Sequence, residues 1–328
     1  MTERNCPMTQ TPPARTLLVA DVGGTNTRVA LASGSTLRTD TITRFKNATY
    51  PGLETVLRTY MEQQGINDID GASVAVAGPV RDGCGVMTNL DWSIDRETLI
   101  RATGAEQVAV LNDLQAQGHA LGLIDDDNLR TVVSGPAPAE HAGRLVIGVG
   151  TGFNAAPVHD TLHGRFVPPS ESGHANLPIR TAEDLRLCHF VETAHGFPAI
   201  EDVLSGRGLE RVYRWHASEA DNPAERSAAD IMAACNTGDD DIARAAVATF
   251  IRLLGTVCGN LSLVHLPFGG LYLVGGVARA MAPHFQDFGF AEAFRDKGRF
   301  AGFMQNFAVH IVEDDYAALT GLIAHLEN

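Results

Sequence analysis

The chain has 328 residues, 45% of them hydrophobic and 20% charged, with a formal net charge of −14. That length supplies one large domain or two ordinary ones with full cores, and the composition is that of a globular protein. The acidic balance excludes nucleic acid and anionic membrane as partners, because neither is steered toward such a surface.

Residues 1–15 are polar and proline-containing without an apolar centre, so they read as a flexible tail rather than a signal peptide. The apolar run Leu17–Ala20 then leads into Asp21-Val-Gly-Gly-Thr-Asn-Thr-Arg28, with a second strand expected from Val29 to Ala32. Such a turn presents Asp21, Gly23, Gly24, Thr25 and Asn26 at its mouth. It can hold phosphate oxygens on backbone dipoles while the acid addresses their metal ion. The alternative is a plain hairpin that needs two glycines for positive φ.

Pro51 to Gly65 predicts a helix with Leu53, Val56, Leu57, Tyr60 and Met61 on one stripe. Ser73–Ala77 and Val108–Leu111 predict buried strands. Gly78-Pro79 and Asn89 read as turn residues. Asn112-Asp113 follows the second of these strands and precedes a helix expected over Leu114 to Leu123. A polar pair at the carboxyl end of a strand is where open α/β sheets place ligands, although an aspartate there also serves as a helix cap.

Ile147 to Val158 repeats the design of Val19 to Leu31: an apolar strand, a glycine-threonine turn at Gly150-Thr151-Gly152, and a small apolar second strand. The echo suggests duplicated α/β domains around a central cleft, the alternative being a chance likeness of two glycine-rich hairpins. The turn's G-x-G-x-G spacing does not fit a dinucleotide fingerprint. Glu171-Ser-Gly-His174 lies on a loop after Pro168-Pro169 and has the donors and acceptors to meet several polyol hydroxyls, the alternative being a plain surface loop. Glu192 lies near the end of a helix expected from Thr181 to about Ala194. A long, mostly apolar helix is expected over Asp239 to Leu266, a strand over Leu271–Val274 before Gly275-Gly276, a strand over Val309–Val312, and a closing helix over Asp314 to Leu326. Arg252, Asn260, His265 and Pro267 break the apolar stretch, so it is not expected to span a membrane. Strands alternating with helices define an α/β fold.

Only two lysines occur, Lys46 and Lys297, and neither lies in a Gly-x-x-x-x-Gly-Lys-Ser/Thr motif, so a Walker-type phosphate loop is excluded. The five cysteines (6, 84, 188, 235 and 258) are scattered without C-x-x-C spacing. They indicate neither zinc site nor disulfide framework, which suits a reducing cytosol.

Asp21-Val-Gly-Gly-Thr-Asn26, Asn112-Asp113, Gly150-Thr-Gly152, Glu171-x-x-His174, Val203-Leu-Ser-Gly-x-Gly-Leu209 and Gly275-Gly276, in this order, resemble bacterial ATP-dependent glucokinase. The likeness runs from about Leu17 to the C-terminus and includes Phe294-Arg-Asp-Lys-Gly-Arg-Phe300. It implies the actin-like ATPase (hexokinase-type) fold: a small domain of residues 16–116 plus 313–328 and a large domain of 117–312. It implies transfer of the γ-phosphoryl of ATP to the 6-hydroxyl of glucose with Mg²⁺, in a cytoplasmic homodimer. Carried over, Asp113 is the catalytic base. Asn112, Glu171, His174 and Glu192 bind glucose hydroxyls, and Asn89 touches the sugar indirectly. Gly24, Thr25 and Gly152 border the phosphates, and Gly275 and Gly276 the adenosine. The chain departs from the family pattern where Ser170 and Ser172 flank Glu171 in place of glycines, and where Phe153-Asn154 replaces leucine-glycine after Gly152. Another hexose (mannose, fructose or an amino sugar) and a non-catalytic sugar-binding regulator are the alternatives. No helix-turn-helix accompanies the second.

Overall fold

The computed structural model describes residues 14–87, 90 and 92–328. The chain divides into two compact units: one ends at Asp113 and regains Leu322–Asn328, and the other is Leu114–Gly321.

In the first unit the hydrophobic run at 16–22 forms β1 (Thr16–Val22), which pairs antiparallel with β2 (Asn26–Ser33). β2 in turn pairs with β3 (Thr36–Lys46). The helix α1 (Leu53–Gln64) follows. Its buried residues are Leu53, Val56, Leu57, Tyr60 and Met61, the stripe that the spacing predicts, and Gly65 ends it in the left-handed conformation at φ 65°. The Tyr60 hydroxyl donates to the Thr41 carbonyl at 3.0 Å, so this buried ring ties α1 to β3. Next come β4 (Gly71–Val76), the short strands β5 (Val80–Arg81), β6 (Cys84–Val86) and β7 (Ser93–Asp95), then α2 (Arg96–Thr103) and β8 (Gln107–Asn112). The main sheet has the order β3-β2-β1-β4-β8, with β4 parallel to both β1 and β8. Strand β4 is buried at every position because both its neighbours are strands and both its faces are covered.

The helix α3 (Asp113–Ala120) opens the second part of the chain. Strands β9 (Leu129–Val133), β10 (Arg144–Val149), β11 (Phe153–Thr161) and β12 (Gly164–Phe166) follow, then helices α4 (Ala182–His195), α5 (Ile200–Val203), α6 (Gly206–Glu219), α7 (Ala228–Thr237) and α8 (Asp241–His265). The chain closes with β13 (Leu271–Val274), α9 (Gly276–Met281), α10 (Phe290–Arg295), β14 (Val309–Val312) and α11 (Ala317–Glu327). The sheet order is β12-β11-β10-β13-β14-β9, with β10, β13 and β14 mutually parallel in sequence along it. Each unit therefore starts its sheet in the same way: an antiparallel hairpin whose first strand receives a parallel neighbour on its other side.

The compact units divide at Asp113 and Gly321, whereas the family resemblance implies domain limits at 116 and 312. Packing accounts for the difference. Leu114, Ala120 and Leu121 from the α3 segment and Ala317 from α11 share one core cluster with Val146, Val158, Val167 and Val274.

The long helix α8 is apolar enough by composition to cross a bilayer, yet most of that stretch is buried inside its unit. Phe250, Leu254 and Val257 are enclosed in the principal core together with Phe290 and Phe294 of α10. Helix α4 begins with a reciprocal cap between Thr181 and Asp184, and Arg252 of α8 reaches the same Asp184 at 2.7 Å.

Asp160 at the end of β11 accepts hydrogen bonds from both Arg165 and Arg144, each at 2.7 Å. These contacts, that with Arg165 foremost, outweigh desolvation and hold its carboxyl down at about 2. The contribution is present above the ordinary aspartate range and is lost as pH falls from about 4 toward 2. Asp160→Asn is therefore expected to be less stable than the parent at neutral pH, with the difference shrinking over that acid range in thermal melts. A difference that does not vary with pH overturns the assignment.

Candidate active site

In the first unit, the β1–β2 turn is shaped from behind by a residue that its own sequence does not contain. Buried Asn47 donates from Nδ2 to the Gly23 carbonyl at 2.7 Å, accepts from the Thr27 hydroxyl at 2.8 Å, and donates its amide to the Thr25 carbonyl at 2.9 Å. The Gly23 amide closes the turn on the Asn26 carbonyl at 3.0 Å. Gly24 and Thr25 are left exposed at its tip, and a turn of this shape can hold phosphate oxygens on its main-chain donors. Asp21 is half-buried opposite Arg28 across the hairpin. Burial raises its carboxyl above the usual range, and the Arg28 charge partly offsets that rise.

At the far end of the same sheet, Asn112 ends β8 and donates from Nδ2 to the Gly78 carbonyl at 2.9 Å. This gives Gly78, which reads from sequence as a turn residue, a role in orienting Asn112. Asp113 is half-buried and is the first residue of α3. A carboxylate there meets the positive end of the helix dipole. Asn89 lies outside the described residues.

In the second unit four separate pieces of chain meet. The turn 150–152 is closed by the Gly150 amide on the Gly152 carbonyl at 2.9 Å, and its Gly150 carbonyl accepts from Gly206 at the start of α6 at 2.9 Å. Gly275 lies against the same strand end. Its φ is 106°, and a Cβ there would stand 2.5 Å from the Val149 carbonyl oxygen, so only glycine fits. Gly276 beside it is exposed, with open space where a side chain would be. That leaves room for a flat ring to approach the backbone. Thr151 is exposed at the tip of the turn.

The loop after β12 carries Glu171 and His174, both exposed, around a short 3-10 turn at Ser172–His174. The His174 amide donates to the Glu171 carbonyl at 3.1 Å, which brings the two side chains onto one turn. Gly173 between them is buried against β11.

Glu201, a residue that the sequence reading did not single out, joins these pieces. It stands on the four-residue helix α5, and its Oε2 accepts the Phe153 amide at 2.8 Å, directly after the 150–152 turn. A Cβ on Gly173 would touch the Glu201 Cβ at 3.5 Å, so the same side chain also adjoins the Glu171–His174 loop. Arg211 of α6 holds α5 in place through the Asp202 carbonyl at 3.0 Å. Glu192, by contrast, is exposed on α4. Among the described residues no hydrogen bond or ion pair joins it to that loop. The signal for Glu201 was its place two residues before Val203-Leu-Ser-Gly, a motif whose Gly206 docks on the turn.

Paired α/β sheets of this design, each entered by a glycine hairpin, are those of the actin-like ATPase fold as sugar kinases use it. The comparisons agree. A glucokinase from an Antarctic psychrotroph matches with TM-score 0.84 and 30% identity, over 96% of this chain and 99% of that one. A sugar kinase of the ROK family from Thermus thermophilus, at 19% identity and TM-score 0.66, shares the fold.

The glucokinase family model matches residues 18–328, and the chain belongs to that family. Among its relatives, a glucokinase of Ralstonia nicotianae is 33% identical over 326 residues, covering 95% of each chain. One of Agrobacterium fabrum is 31% identical over 312 residues, covering 94% of this chain and 91% of the relative.

Proposed function

We propose that the protein transfers the γ-phosphoryl group of ATP to the 6-hydroxyl of D-glucose, yielding glucose 6-phosphate and ADP. It is an ATP-dependent hexose kinase. The observation that carries this reading is the junction in the second unit, where a glycine turn fit for phosphate and an exposed Glu–His loop fit for hydroxyls share Glu201.

In this reading Asp113 accepts the proton of the 6-hydroxyl as the new oxygen–phosphorus bond forms and the bond to the leaving ADP breaks. A positioned base of this kind contributes roughly 10²–10⁴-fold. Asn112, Glu171 and His174 hold the sugar hydroxyls, and Glu201 takes the place that the family resemblance assigns to Glu192. Gly24, Thr25 and Gly150–Gly152 receive the phosphates on main-chain donors, and Gly275 and Gly276 border the adenosine. Much of the remaining acceleration comes from alignment and charge neutralisation.

Mg²⁺ fits the donors present. Among the described residues no group of three His, Cys, Asp or Glu could cage a metal ion. Mg²⁺ in nucleotide sites is held by one or two carboxylates and the phosphates and keeps several waters. Asp21 is the carboxylate we assign to it, through water, and the bound ion supplies neutralisation of the phosphate charge. A cytoplasmic location and a homodimer are carried by the family resemblance, and a sedimentation mass decides the second.

The test is a coupled assay of ADP release across a panel of hexoses. Release that requires both glucose and Mg²⁺ supports the reading. Preference for another hexose, or binding without turnover, replaces it with the kinase of that sugar or with a regulator.

Glu171→Gln and Glu201→Gln are expected to raise the KM for glucose about tenfold or more, because each trades a charge-assisted hydrogen bond for a neutral one. The KM for ATP should move less. Glu192→Gln should leave both constants near those of the parent. A larger effect at Glu192 than at Glu201 reverses the assignment.

A further inference from the structure

Asn154 is the second residue of β11 and is half-buried. Its side-chain oxygen accepts the Ser172 amide at 3.0 Å, the Ser172 hydroxyl at 3.2 Å and the Ser170 hydroxyl at 3.4 Å, along with the Ala155 amide at 2.8 Å. Its Nδ2 donates to the Ser170 carbonyl. The orientation of this amide is fixed by its partners. The Ser172 and Ala155 amides can only donate and the Ser170 carbonyl can only accept, so a flipped carboxamide would set donor against donor. The Ser172 amide also reaches the Ser170 hydroxyl at 3.3 Å.

One carboxamide thus holds the residues on both sides of Glu171. Asn154, Ser170 and Ser172 are also three of the positions at which the chain departs from the family pattern it resembles. In the fold these three departures are partners of one another. A lone asparagine or a lone pair of serines here would leave polar atoms unmatched in a half-buried loop, and together they satisfy each other. The neighbouring Phe153 adds a second hold, through its amide on Glu201 and its carbonyl packed on Gly173.

We propose that Asn154 is a positioning residue for the sugar acceptor. It holds Ser170–His174 in one conformation before the sugar arrives, so that Glu171 and His174 stand ready to receive vicinal hydroxyls of a hexose. It does not itself touch the sugar. The inference rests on the assignment of Glu171 and His174 as sugar ligands. Without the carboxamide the loop samples other conformations, and apparent affinity falls by the fraction that remains competent: a loop that is competent a tenth of the time binds about tenfold more weakly.

The experiment compares the full-length parent with Asn154→Leu, which keeps the size and removes donor and acceptor, and with Asn154→Asp, which keeps the acceptor for Ser172. Amide hydrogen exchange over 168–175, thermal midpoint, and kcat with KM for glucose and for ATP are measured for each. For Asn154→Leu the expected result is faster exchange in the loop and a KM for glucose raised about tenfold, with kcat and the KM for ATP within about twofold. Asn154→Asp should fall between that variant and the parent. Unchanged exchange overturns the proposal. So does faster exchange with an unchanged KM for glucose, or a KM for ATP that rises as much as that for glucose. Should Asn154→Leu fail to fold, Asn154→Ser carries the same comparison. A parent that turns over no hexose defeats the functional reading itself, and this inference with it. That outcome is seen before any variant is made, whereas the exchange measurement reads the loop independently of turnover.

Discussion

Asp113→Asn is expected to lower kcat at least about a hundredfold while leaving the KM for glucose near that of the parent. The substitution keeps the shape and one acceptor oxygen but cannot take up a proton at the working pH. Its surroundings favour a clean result. Asp113 is only half-buried, begins a regular helix, and follows an asparagine pinned to the Gly78 carbonyl. Loss of its charge at a helix N-terminus costs about 0.3–1 kcal/mol, too little to unfold the protein. Steady-state kinetics on a variant of normal thermal midpoint decide the matter. Turnover within about tenfold of the parent would assign Asp113 the role of a helix-end acid and leave the base elsewhere.

The second large effect is expected at Gly173. A methyl group there would lie 2.0 Å from the Phe153 carbonyl oxygen and 3.0 Å from its carbon, and both atoms are backbone of β11. Neither can yield as a side-chain tip does, so the loop must lift from the strand. Overpacking of this kind costs about 1–3 kcal/mol in stability. Glu171 and His174 flank the displaced residue, so the KM for glucose should rise at least about tenfold in Gly173→Ala, with a smaller change for ATP. Gly302→Ala is the control, since nothing lies within 4 Å of the Cβ it would add. Equal kinetics in parent and Gly173→Ala would mean that the loop's seat on β11 has no bearing on the sugar.

What could be read beforehand follows from which signals are local. The strands at 16–22, 144–149 and 271–274 announce themselves as apolar runs that end in glycine, and α1 carries both its stripe and its terminator. Strand β3 was not legible: most of its eleven residues are exposed or half-exposed, and its threonines and arginines show no sustained alternation. The very short strands β5, β6 and β7 carry too few residues for any period. At the site, the glycine turns and the Glu–His loop were visible because each is a contiguous motif. Glu201 was not, because a four-residue helix has no periodicity and its bond to Phe153 spans 48 positions. Asn47 escaped for the same reason, and Asn154 stood out in the sequence only as a departure from the family pattern, without its partners. Each acts on a turn or loop elsewhere in the chain, and only the return of a strand or hairpin brings them there.

The order in which α8 and α10 are made has a consequence for biosynthesis. Twenty-five residues of greasy helix leave the ribosome before the phenylalanines of α10 that cover them exist. Until then a nascent chain displays a segment that its hydropathy alone could mark for a lipid bilayer. Mutations that weaken the α8–α10 contact should therefore be felt first as poor yield and chaperone dependence during synthesis, ahead of any loss in the finished enzyme.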